Sequence, residues 1–329
     1  MATLDENGIL ISDLWLDQPD ALDRVEARRA AGALSGEDAA RLVQFARDGF
    51  TSISLSDAQR IDERVDAEVE RLWTERPTDV AIGLAEGGRI SVADATDDQR
   101  VVGYRIADLH SWCPAALDLY LHSEIFHIVE LIFDQPAIAF QSLYFQWGSE
   151  QALHRDPMFV AATPPSHLVA SWIALEDITE DSGPLIYAPG SHRLPWFEFA
   201  PDDIKARDAD KAGRERWARE RQRVIDEAGL EPKTFTCRQG DVFIWHAGLL
   251  HGGAKVGTRE RTRKSFVVHY STAANYHSRR ASMKRKAIVD GKETWVATKG
   301  FTTEVIERPG ARGLDSPLRH LEVKAPAAH

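Results

Sequence analysis

Beyond Pro136 the chain changes from helix-favouring stretches to short β-prone runs cut by glycine and proline, and this change restricts the fold more than any other feature. The runs at 138–147, 167–175, 185–188, 234–237, 241–245 and 264–271 are each too short to bury a face alone. Many such strands with turn residues between them specify a sandwich or a barrel.

Upstream of Pro136 the pattern is different. Ser35 followed by Asp38 predicts a helix start, with a hydroxyl cap and an acid three residues later, and Gly49 predicts its end. A strand is expected at 50–55. Ser56 is then expected to cap a second helix, whose Ile61, Val65, Val69, Leu72 and Trp73 fall on one stripe before Arg76-Pro77 closes it. Residues 78–100 read as loop and 101–106 as a strand, and two further helices start near Pro114 and Ser123. Between Pro195 and Pro232 the β pattern is interrupted by a charged, helix-favouring insertion that includes 211–221. Mixed charge of this kind specifies a solvated helix held by ion pairs of about 0.2 to 0.5 kcal/mol each. Its place directly after Pro189-Gly190-Ser191-His192 makes a lid the alternative.

A chain of 329 residues that is 43% hydrophobic has enough apolar material for one large domain. Lys plus Arg number 40 against 51 Asp plus Glu, a net charge of -11, so a phosphate backbone would repel it and no nucleic-acid partner is expected. Two cysteines, Cys113 and Cys237, make no disulfide framework. No basic-then-apolar leader opens the sequence and no stretch is long enough to span a bilayer, so a soluble, cytoplasmic protein without a membrane partner is expected. No heptad seam is evident, which leaves monomer and dimer both open.

The chemistry concentrates at His154-Arg155-Asp156. Side chains alternate along an extended segment, so His154 and Asp156 share a face and Arg155 points away. A second imidazole from a distant strand would complete two nitrogens and one oxygen on one side of a divalent ion. That set suits non-haem Fe(II), because its open positions accept a co-substrate and dioxygen. Two histidines, His246 and His251, compete for the third place, and chemistry alone does not separate them. His110, His122, His127, His192 and His269 read as ordinary core or surface histidines.

Around this centre the motifs fall in a recognisable order. Gln151-Ala152-Leu153-His154-Arg155-Asp156-Pro157 is followed by Ser171-Trp172-Ile173-Ala174-Leu175-Glu176-Asp177, Ser182-Gly183-Pro184-Leu185 and Pro189-Gly190-Ser191-His192. Gly240-Asp241-Val242, His251-Gly252-Gly253 and Arg263-Lys264-Ser265 complete the series. Over roughly residues 138 to 275 the chain resembles the phytanoyl-CoA dioxygenase family of Fe(II)- and 2-oxoglutarate-dependent oxygenases.

The resemblance implies a mainly β protein with α additions, in which a double-stranded β-helix, the cupin-like jelly roll, is flanked by N-terminal helices and a helical insertion. In such a roll the 95 positions between Asp156 and His251 are no obstacle to a shared metal. Expected organisation is one catalytic domain over 1–329, with a mostly helical part at 1–135, a jelly-roll core at 136–275 holding the insertion at 196–232, and an extension at 276–329. The resemblance selects His251 as the third ligand, which leaves His246 as a core residue or one that orients a ligand.

It also implies the use of 2-oxoglutarate and O2. A far carboxylate needs a cation, and a guanidinium grips one through two parallel hydrogen bonds. Arg259, Arg261 and Arg263 are all available, and spacing in the family favours Arg263. Ser265, two positions on and on the same face, can add a hydroxyl. Trp172 occupies a position whose indole borders the co-substrate in the family. Because halogenating relatives have a small non-coordinating residue in place of the acid, the resemblance makes Asp156 point to hydroxylation with release of succinate and CO2, while desaturation, ring closure and epoxidation stay open to the same oxidant.

The substrate is expected to be a small organic molecule, polar or anionic. Gln141, Tyr144, Arg155 and Arg193 are candidate polar contacts, and the basic residues Arg279, Arg280, Lys284, Arg285 and Lys286 could draw an anion inward. Two alternatives use the same histidines: a metal-binding cupin that cleaves or isomerises its substrate without 2-oxoglutarate, and a non-catalytic ligand-binding module. Neither needs a buried cation such as Arg263 facing the metal.

Overall fold

Local signals set the first elements of the computed structural model, which describes residues 4–78, 80–84, 88–102, 104–160, 162, 164–206, 210–257, 261–272, 275, 284–289, 292–297 and 305–314. Helix α1 (Ala21–Ala30) precedes α2 (Gly36–Asp48), which starts where the Asp38 amide donates to the Ser35 hydroxyl at 3.0 Å and ends at Gly49 with φ of 79°. Strand β1 (Phe50–Ser54) leads to α3 (Ala58–Glu75), where Ile61, Val65, Val69, Leu72 and Trp73 form the expected buried stripe. Ser56 does not cap α3. Asp57 holds the cap position without bonding the helix, because its carboxylate faces the His122 imidazole at 3.1 Å.

The expected loop at 78–100 is instead built of β2 (Ala81–Leu84), β3 (Arg89–Ser91) and α4 (Asp97–Val102), and the strand expected at 101–106 is β4 (Tyr104–Ala107). Pairing rather than local pattern makes these strands: Ile82 lies opposite both Ile90 and Ile106. Helix α5 (Pro114–Tyr120) has proline in its first turn, and α6 (Ser123–Phe133) stops at Asp134, φ 53°, whose carboxylate accepts from Arg28 at 2.6 Å.

The remaining elements are β5 (Ala137–Phe145), β6 (Val169–Ala174), β7 (Leu185–Tyr187), α7 (Lys211–Glu227), β8 (Lys233–Phe235), β9 (Asp241–His246), β10 (His251–Gly253) and β11 (Ser265–Thr272). After them β12 (Lys284–Val289) pairs with β13 (Lys292–Ala297) and β14 (Val305–Arg308) with β15 (Ala311–Leu314). The large sheet has the order β1-β9-β6-β11-β5-β4-β2-β3, and a small sheet has the order β10-β7-β8. Four strands of the large sheet thus come from the N-terminal part. The jelly roll expected from the sequence is present, with helices added around it.

Alternation decides what each face of the large sheet does. Val169, Ile173, Val242, Ile244, Phe266 and Val268 join the helices in one core with Leu42, Phe45, Val65 and Phe126. Burying each such side chain stabilises by about 1.5 to 3 kcal/mol. The intervening residues Ala170, Trp172, Phe243, Trp245 and Val267 point the other way, toward Leu185 and Tyr187 of the small sheet. The candidate site lies on this second face.

Helix α7 is not simply a solvated rod. Its Trp217 and Ile225 are buried with Met158, Ala188, Phe199 and Leu250, and Arg221 donates to the Leu153 carbonyl at 2.8 Å. Residues at spacings of four and eight give the helix one apolar face despite its charge. Arg279 and Arg280 lie outside the described residues, and among those described no helix is long and apolar enough to cross a membrane.

Candidate metal centre

His154 and His251 are joined through their backbones before their side chains meet. Each amide donates to the other's carbonyl, at 2.8 and 3.1 Å, in an isolated antiparallel bridge at the end of β10. The 97-residue separation is closed by this pairing. Each imidazole is then aimed by its other nitrogen: Nδ1 of His154 lies 3.0 Å from the Ala152 carbonyl, and Nδ1 of His251 lies 3.0 Å from the Leu249 carbonyl. A carbonyl can only accept, so Nδ1 carries the proton and Nε2 keeps its lone pair.

Both lone pairs face Asp156. Its Oδ2 accepts from the Trp245 indole at 2.9 Å, which leaves Oδ1 at 3.4 Å from His251 Nε2 and 3.9 Å from His154 Nε2. One donor atom from each of the three residues lies within 4.8 Å of the others. Two oriented imidazoles and one carboxylate oxygen, all buried, fit a divalent cation, with partners on the second nitrogens and second oxygen as a metal site needs. Burial raises the Asp156 carboxyl, but the imidazoles of His251 and His269 outweigh it and hold the group well below the usual carboxylate range. Burial and the neighbouring His251 push His154 down to about 3, so it is neutral. His251 moves up, because the Asp156 charge overcomes its burial.

The cavity in front of these groups has a volume of about 80 Å³, room for several water molecules and so for a compact ligand. Its wall also carries Arg263 and Trp172. Arg263 is buried, donates through Nε to the Gly183 carbonyl at 3.1 Å and through Nη1 to the Ser265 hydroxyl at 2.9 Å, and lies 5.5 Å from the Trp172 ring. Burial lowers it to about 10, and it remains a cation at neutral pH. No carboxylate among the described residues pairs with it. Of its five N–H groups, those on Nη2 are spare. The Trp172 indole N–H is likewise buried without a partner among the described residues.

Several sequence expectations are corrected here. His246 belongs to β9 but points to the opposite face from Trp245, where it meets Asp17 at 3.2 Å. Arg155 is not a ligand contact, since its guanidinium is buried and donates to the carbonyls of Gly248, Pro195, Ser191 and Leu194. Arg193 bonds the Ala46 carbonyl, and Tyr144 lies in the helix-facing core. Gln141 does share the cavity face, opposite His269. Arg261 donates to Thr179 at the surface, and Arg259 lies outside the described residues.

His269 was read as a β-core residue and is part of the cavity wall instead, with Nε2 3.8 Å from Asp156 Oδ1. A signal for it exists in the sequence. Residues 263, 265, 267 and 269 fall on one face of an extended strand, so the face that carries the arginine carries this histidine too.

Fold and donor set together define a class: double-stranded β-helix proteins with a cavity fit for a divalent metal. A family model described as phytanoyl-CoA dioxygenase matches residues 20–265, and the chain belongs to that family. It is 25% identical over 153 residues to a phytanoyl-CoA dioxygenase domain-containing protein 1 of Danio rerio, a match that covers 44% of each chain, less than half the length of that relative.

Among solved structures, the chain resembles the non-haem α-ketoglutarate-dependent carbocyclase SnoK from nogalamycin biosynthesis, with a TM-score of 0.54 and 19% identity over 74% of this chain and 86% of that one. The epimerase SnoN, solved with Fe3+, α-ketoglutarate and nogalamycin RO, gives a TM-score of 0.51 and 21% identity over 78% and 85%. EctD from S. alaskensis, solved with 2-oxoglutarate and 5-hydroxyectoine, gives 0.52 and 16% over 74% and 77%. At these identities the likeness is one of fold.

Proposed function

We propose that the protein is a non-haem Fe(II)- and 2-oxoglutarate-dependent oxygenase, a single catalytic domain that hydroxylates an unactivated C–H bond of a small organic metabolite. The observation that carries this reading is the presence, on one cavity, of three convergent metal donors and a buried arginine with spare N–H groups. A cupin without a keto-acid co-substrate has no use for the second feature, since a buried cation is costly unless a ligand answers it. Relatives in fold that hold 2-oxoglutarate or α-ketoglutarate support the same reading.

In this reading His154, Asp156 and His251 hold the metal through Nε2, Oδ1 and Nε2. A ferrous ion so held, with 2-oxoglutarate and O2, supplies the oxidising power for hydroxylation and the release of succinate and CO2. Arg263 grips the far carboxylate of the co-substrate, helped by the Ser265 hydroxyl, and the Trp172 indole borders it. Leu143, Phe145 and Val267 line the same cavity and exclude water, which strengthens the hold of the guanidinium. Trp245 keeps Asp156 turned so that one oxygen faces the metal.

The carbocyclase and epimerase among the relatives in fold show that such a scaffold serves other outcomes; the retained carboxylate of Asp156 and the hydroxylated molecule bound to EctD favour hydroxylation. The substrate in this reading is polar or anionic and the protein cytoplasmic. Incubation with Fe(II), ascorbate and 2-oxoglutarate tests the reading. Succinate should form slowly even without substrate, and its absence in every condition, with iron bound, would count against the use of 2-oxoglutarate.

A further inference from the structure

Three imidazoles stand around Asp156 Oδ1, and they are not built alike. His154 and His251 each have Nδ1 fixed on a backbone carbonyl, whereas Nδ1 of His269 is buried with no hydrogen-bond partner among the described residues. A neutral imidazole has one proton, and an unanswered buried donor costs more than an unanswered acceptor. The favoured position for the His269 proton is therefore Nε2, which lies at the cavity, 3.8 Å from Asp156 Oδ1. A nitrogen that carries a proton is not a metal ligand, and 3.8 Å is too long for a hydrogen bond to the carboxylate.

His269 is only 2% exposed, and the three-residue donor set does not include it. Its N–H thus faces the cavity that the three metal donors also line.

We propose that His269 is a binding residue for the chelating end of the keto acid: its Nε2–H donates to a carboxylate oxygen of the co-substrate beside Asp156. This rests on the function proposed above and deepens it. Arg263 serves the far carboxylate and His269 the near one. Both project from the same face of β11 and its entry, with Ser265 and His269 four residues, about 13 Å, apart along the strand. The ligand class implied is a compact dicarboxylate or 2-oxo acid with negative charge at both ends.

The test uses full-length protein loaded with Mn(II), so that no turnover occurs, and measures by calorimetry the binding of 2-oxoglutarate and of oxalate, which has the chelating unit alone. In His269→Ala both ligands should bind at least about tenfold more weakly, the loss expected for one hydrogen bond to a charged group. Mn(II) affinity should stay within about twofold, and His269→Gln, which keeps an N–H donor, should recover part of the loss. Oxalate affinity unchanged in His269→Ala would overturn the proposal, as would loss of Mn(II) binding in both variants, which would make His269 a ligand or a structural residue. Failure of the wild-type protein to bind either ligand would instead overturn the function proposed above.

Discussion

Two sets of two imidazoles and one carboxylate lie on opposite faces of the same sheet, and only one of them converges. In the first, His154, His251 and Asp156 have their outer atoms fixed by Ala152, Leu249 and Trp245, so three donor atoms meet at one point. In the second, His246 accepts from the Gly248 amide at Nδ1 and faces Asp17 with Nε2, while His192 lies edge-on to it with ring centroids 5.3 Å apart. The same residue types therefore converge into a set that fits a metal or stay apart as a structural contact, depending on what holds the atoms that do not face inward.

Breaking the first set should have the largest effect. His154→Ala or Asp156→Ala should lower Fe(II) affinity by more than about 100-fold, beyond what loss of an outer partner costs, and abolish succinate formation, as followed by metal titration and product analysis. His246→Ala should leave Fe(II) affinity nearly unchanged. Next comes Arg263→Ala, which removes charged hydrogen bonds to the co-substrate: the apparent KM for 2-oxoglutarate should rise about 10- to 100-fold with iron affinity retained. Trp245→Phe leaves a smaller aromatic ring and deletes the N–H that turns Asp156, so Fe(II) affinity should fall about 10-fold or more in a titration of the folded variant.

The smallest effect belongs to the second set and to stability alone. Burial raises the Asp17 carboxyl, but His246 and the hydrogen bonds around it prevail and bring it from 3.8 down to about 2. A carboxyl lowered in the folded state stabilises above its unfolded value, and that contribution is lost as pH falls from about 4 to 2. Asp17→Asn should remove roughly 2 kcal/mol at neutral pH and flatten the acid limb of a stability-versus-pH curve, with no change in metal binding. An unaltered acid limb would show that the pair does not hold the fold.

The contrast also explains what could be read in the sequence. His154 and Asp156 were legible because alternation along an extended segment puts them on one face, and Arg263 and Ser265 for the same reason. His246 and His251 differ only in which way their backbones turn, and that is set by the β9 register and the bridge to His154, neither of which is local. His269 was missed although it continues the face of Arg263, because a histidine inside an apolar strand reads as core.

Elsewhere the same division holds. Helix α2 follows from its cap and stop and α6 from its stop, while β2 exists through pairing with β4 and β3 through pairing with β2, without a strand pattern of their own. The buried face of α7 was present as Trp217, Val224 and Ile225 but was masked by the surrounding charge.

The most direct test of the metal centre is an anaerobic titration of the protein with Fe(II) in the presence of 2-oxoglutarate, followed by the visible charge-transfer absorption that a keto acid gives when it chelates a ferrous ion. The expected result is a band that saturates at one iron per chain in the wild type and in His246→Ala and is absent from Asp156→Ala. A wild type without the band, or a band of equal strength in Asp156→Ala, would contradict the assignment of His154, Asp156 and His251 as the ligands.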